Sequence, residues 1–88
     1  MLTRWRLVLS GRVQGIGLRF RAKMGAQQCK LTGWVRNLDD GDVELEVQGE
    51  DAAVDAYVNY LRTLPGANVT FLHAEEQDVI EETRFRIR

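Results

Sequence analysis

Cysteine, histidine and proline each occur once in this chain, as Cys29, His73 and Pro65, and each scarcity excludes something. One cysteine forms no intrachain disulfide, so the fold is not a disulfide-stapled secreted scaffold. One histidine and one cysteine do not furnish a zinc centre of the usual ligand types. Charge of one sign is also lacking. Twelve Lys and Arg stand against 13 Asp and Glu, a formal net charge of −1, which gives no bulk attraction for nucleic acid. The start, MLTRWRLVLSG, carries too short an apolar run for a signal peptide or a membrane span. A cytoplasmic protein with no membrane partner is expected.

What is present suits a small globular domain. The 88 residues, 44% of them hydrophobic, are enough for one core without staples, so a single domain over 1–88 is expected. Trp5, Leu7 and Leu9 alternate with Arg4, Arg6 and Val8, which predicts a half-buried first strand. Leu18, Ala22, Ala26 and Cys29 recur at helical spacing. LTGWVRNL reads as a second strand, and the Asp-Gly of LDDGDV turns it back into a third, where Val43, Leu45 and Val47 alternate with polar residues. Val54, Tyr57, Val58, Leu61 and Leu64 form the stripe of a second helix, stopped by Pro65-Gly66. ANVTFLHAEE is a fourth strand, and TRFRIR a last one with Phe85 and Ile87 inward. The acidic run AEEQDVIEE reads as a solvated loop. The order βαββαβ plus a terminal strand predicts an α+β, ferredoxin-like split-βαβ sandwich. Its antiparallel sheet has four to five strands, with two helices on one face. The third strand, DVELEVQG, has no aromatic residue on which an RNA base could stack, so no nucleic-acid partner is expected.

The segment SGRVQGIGLRFRAKM joins the first strand to the first helix. Gly11, Gly15 and Gly17 fall within seven positions and cost conformational entropy on folding. Such a loop lets successive N–H groups converge on one point. It enters a helix N-terminus, whose unpaired N–H groups and partial positive charge favour anions. Arg19 follows on the first helical turn, where its planar fork matches phosphate oxygens. The pattern is neither the P-loop GxxxxGK[ST] nor GxGxxG. On spacing alone it fits equally well a phosphate-sized cradle or a tight strand–helix turn with a surface arginine.

GRVQGIGLR followed by GWVRNLDDGDVE resembles the acylphosphatase family, and the likeness extends over essentially the whole chain. The resemblance implies hydrolysis of acyl phosphates to carboxylate and inorganic phosphate. A guanidinium and a nest of amides already face the phosphate charge, so neither metal nor cofactor is expected, and a monomer is expected. The resemblance makes Arg19 the phosphate-binding catalytic arginine and Asn37 the residue that orients the attacking water. Val13, Gln14, Gly15, Ile16, Gly17 and Leu18 become, with Arg19, the phosphate-binding loop. An acylphosphatase-like module that binds anions without turnover is the alternative.

Four positions depart from the family pattern. Ile16 and Leu18 replace the usual valine and phenylalanine. Lys30 stands where glycine is frequent, which predicts a different helix cap or a left-handed residue. Leu38 offers no hydroxyl beside Asn37. Gly25, inside the first helix, costs about 1 kcal/mol against alanine. Gln14 is read as a brace for the loop, Arg36 as surface charge, and Trp5 and Trp34 as packing. Few residues remain to grip an acyl group, so broad acyl tolerance is expected.

Overall fold

The computed structural model describes residues 1–15 and 17–88. Its elements are β1 (Leu2–Arg12), α1 (Leu18–Gln28), β2 (Thr32–Asn37), β3 (Val43–Glu50), α2 (Asp51–Arg62), β4 (Asn68–Gln77) and β5 (Phe85–Ile87). They form a five-stranded sheet of order β4-β1-β3-β2-β5. The ferredoxin-like arrangement predicted from the sequence is present. The sheet is mixed, however, because β5 runs parallel to β2, with Val35 beside Ile87, while the other pairings are antiparallel. The direction follows from the connection. β4 finishes at the end of the sheet where β2 begins, so a chain crossing straight to the free edge of β2 delivers a parallel strand.

Leu7 and Leu9 of β1, Val35 of β2, and Leu45 and Val47 of β3 share a core with Ala22 and Ala26 of α1 and Val54, Tyr57 and Leu61 of α2. Removing these apolar faces from water is the main driving force for the sandwich. Gly25 finds its reason in this core. A Cβ at Gly25 would lie 2.4 Å from the Tyr60 ring, so glycine lets α2 close onto α1. Two hydroxyls then tie the helices together: Tyr57 donates to the Ala22 carbonyl at 2.8 Å and Tyr60 to that of Arg21 at 3.1 Å.

The opposite face of the sheet is more covered than the alternation suggests. The acidic run is not a merely solvated loop. Residues 78–84 carry Glu82 to the Arg4 guanidinium, which donates to it at 2.8 Å and to Glu46 at 2.7 Å. Gln48 clasps the Ile80 backbone from both sides, its amide donating to the carbonyl and its oxygen accepting from the N–H. Arg4, placed on the polar face by its alternation, is therefore only 2% exposed. Burial opposes its charge, but hydrogen bonds to Glu82 and Glu46 outweigh it and raise its pKa above the ordinary value. β3 is consequently buried on both faces for most of its length, not half-buried.

Lys30 is the one non-glycine residue with a positive φ, 59°, among those described. Its N–H donates to the Gln27 carbonyl and that of Leu31 to Ala26, the paired bonds of a Schellman cap closing α1. The cap requires a left-handed residue, which costs an L-residue roughly 1–2 kcal/mol. Lys30→Gly removes that cost but adds unfolded-state entropy of about 0.5–1 kcal/mol. The variant is expected to be more stable by about 0.5 kcal/mol, a rise of a few degrees in Tm by calorimetry. A lowered Tm would contradict the assignment of strain to this residue.

Candidate active site

The core fixes both ends of the glycine loop. Val13 is fully buried and Leu18 nearly so, while Gly15 and Gly17 between them are exposed. Gly15 and Gly17 have φ of 77° and 72°, in the left-handed region. A Cβ at either would meet nothing within 4 Å, so backbone conformation, not crowding, calls for glycine here. Gly17 is also the N-cap of α1. Among the described residues no side chain caps that helix and no acid occupies its first turn. The partial positive charge of the N-terminus therefore faces the loop without a protein anion to neutralise it.

Gln14 braces this loop against the hairpin that follows β2. Its side-chain amide donates to the Leu38 carbonyl at 3.0 Å and to the Asp42 carbonyl at 2.8 Å. These two bonds tie the loop to the residue after Asn37. Asn37 ends β2 two positions beyond the buried Val35, so its side chain continues the row that faces the helices. Its neighbour Arg36 points the other way. There it donates to Glu44 at 2.6 Å, and Arg6 donates to the second Glu44 oxygen at the same distance. Burial works to raise the Glu44 pKa, but the hydrogen bonds from Arg36 and Arg6 outweigh it and hold the carboxyl below its ordinary value. Arg36 also lies over Trp34, and Arg88 covers the same ring at 4.4 Å from its centroid. The end of β2 is thus pinned on the face away from the site.

One open pocket of about 280 Å³ collects these groups: Val13, Gln14, Gly15, Gly17, Leu18, Arg19, Phe20, Asn37 and Ile87. Of the eight residues assigned to the site from sequence, seven line it; Ile16 lies outside the described residues. Phe20 and Ile87 were not assigned to it. Phe20 falls outside the buried stripe of α1, and Ile87 reaches the pocket only through the parallel pairing of β5. The Arg19 side chain is exposed and, among the described residues, makes no ion pair or hydrogen bond. No carboxylate appears in the described lining. Among the described residues no three His, Cys, Asp or Glu side chains cluster as metal ligands, and no helix is long and apolar enough to cross a membrane.

Fold and pocket together define a small α+β domain with an open, loop-lined pocket whose described lining holds one cation, Arg19, and no carboxylate. The family model described as Acylphosphatase matches residues 5–87. An acylphosphatase of Geobacillus thermodenitrificans is 40% identical over 88 residues, covering 98% of this chain and 94% of the relative. The solved structure of an acylphosphatase from Coxiella burnetii is 36% identical, with a TM-score of 0.91 over 99% of this chain and 93% of that one. The crystal structure of acylphosphatase from Bacillus subtilis is 38% identical, with a TM-score of 0.90 over 100% of this chain and 99% of that one. The chain belongs to the acylphosphatase family and is an enzyme of that family.

Proposed function

We propose that this protein hydrolyses the carboxyl–phosphate bond of acyl phosphates without a metal, with Arg19 and the loop amides holding the phosphate and Asn37 orienting the water. The observation that carries this reading is the shared pocket. The first turn of α1, the glycine loop and the end of β2 all open into it. Phosphoryl transfer of this kind passes through a loose transition state with charge spread over three equatorial oxygens. The Arg19 fork and the amides of the loop, preorganised by Gln14 and by the left-handed glycines, face that charge. Asn37 holds water for in-line attack. The phosphorus–oxygen bond to the acyl group breaks, and its electron pair leaves with the carboxylate. The parent acid has a pKa of about 4, so departure needs no general acid. The carboxamide is too weakly basic to take the water proton, which passes to a phosphate oxygen.

The described lining supplies no carboxylate to hold a divalent ion, and the guanidinium already provides positive charge. Both features support metal independence. In this scheme residues 1–88 act as one domain and as a monomer. A single cysteine, Cys29, suits the reducing cytoplasm.

The test is phosphate release from benzoyl phosphate, with inorganic phosphate as competitor and with excess EDTA. Full turnover in EDTA and competitive inhibition by phosphate are expected. A rate restored only by a divalent ion would overturn the metal-free scheme. Phosphate binding without turnover would reduce the protein to an anion-binding module.

A further inference from the structure

The pocket offers more room than a phosphate group fills, and its remaining walls are apolar. Val13 and Leu18 are buried at its base, while Phe20 and Ile87 are 63% and 42% exposed. Phe20 follows Arg19 on α1, and Ile87 ends β5, the edge strand packed against that helix. Large apolar side chains left in water contribute little to folding. Two of them beside one anion cradle are the lining expected for a ligand with an apolar half. Met24, 42% exposed, lies four residues beyond Phe20 on the same face of α1 and extends the strip. A polar acyl group finds little to bind. The Gln14 amide is committed to two carbonyls, and Arg19 is the one cation in the described lining.

The structure assigns Phe20 and Ile87 as the acyl-binding rim, so that the enzyme selects acyl phosphates whose acyl portion is apolar and about the size of a benzoyl group over acetyl phosphate. This rests on the hydrolase reading above and replaces the broad acyl tolerance expected from the sequence. Contact with the unreacting part of the substrate is made alike in ground and transition states, so it acts on KM more than on kcat.

Steady-state kinetics with benzoyl and acetyl phosphate test this on the native sequence and on Phe20→Ala, Phe20→Leu and Ile87→Ala, with circular dichroism to check folding. For the native sequence, kcat/KM is expected to favour benzoyl phosphate by roughly tenfold or more. Phe20→Ala is expected to erase most of that ratio through KM, and Ile87→Ala part of it. Phe20→Leu should retain most of it, and the inhibition constant of inorganic phosphate should move less than twofold throughout. A native ratio near one, or alanine variants that change both substrates by the same factor, would overturn the assignment while leaving the hydrolase reading intact. Absence of turnover on either substrate would sink both.

Discussion

Arg19→Ala is expected to lower kcat/KM for an acyl phosphate by roughly 10³–10⁵-fold, the range for an arginine that stabilises a transferring phosphoryl group. The size of the effect follows from what the pocket lacks. No second cation lines it among the described residues, so nothing takes over the charge. The fold should not notice the change. Its side chain is exposed and makes no hydrogen bond or ion pair among the described residues, so its loss should change stability by no more than about 0.5 kcal/mol. Arg19→Lys separates charge from shape. An ammonium restores a point charge but not the paired, planar donors, so only partial recovery is expected. Steady-state kinetics and thermal melts on the two variants decide the matter. Residual turnover within tenfold of the native rate would remove Arg19 from the chemistry. A collapsed melting temperature would instead make it a structural residue.

Local patterns made the elements of this fold legible, because the periodicity of each element is local in sequence even though most contacts between elements join distant residues. The alternation of Trp5, Leu7 and Leu9 and the stripe from Val54 to Leu61 report periodicities that burial imposes, and the Asp40–Gly41 turn reports the left-handed backbone of Gly41. The features that escaped notice depend on residues far apart. Arg4 reads as a surface residue because its alternation partner faces are polar. Its burial comes from Glu82, 78 residues away. Gly25 reads as a cost to α1 because the Tyr60 ring that needs the space belongs to another helix. The direction of β5 is set by where β4 ends, which no pattern within Phe85–Ile87 records.

The candidate site divides along the same line. Glycine spacing and a helix start left a phosphate cradle and a plain strand–helix turn equally open, and the family resemblance pointed to the cradle, Arg19 and Asn37. The hydrogen bonds of Gln14 gave its bracing role an anchor at Leu38 and Asp42. The apolar rim was not legible. It forms only where Phe20, on the unburied side of α1, meets a strand end contributed by the last residues of the chain.

Asn37→Ala should separate orientation of the water from binding of the phosphate. In the proposed scheme the cradle lies on the loop and the helix start, and Gln14 ties that loop to the carbonyls of Leu38 and Asp42. Those bonds use backbone oxygens, so truncating the Asn37 side chain leaves the brace in place. The inhibition constant of inorganic phosphate is therefore expected to change by less than about threefold, while kcat falls by roughly 10²–10³, the usual effect of removing one preorganised polar group. Asn37→Asp keeps the shape and adds a charge. A carboxylate beside a bound phosphate repels it, so this variant should lose phosphate affinity as well as rate. The contrast between the two substitutions carries the test. If alanine weakens phosphate binding as much as it lowers kcat, Asn37 is part of the cradle. If aspartate retains both, the side chain does not face the phosphate, and the attacking water must be positioned by another group.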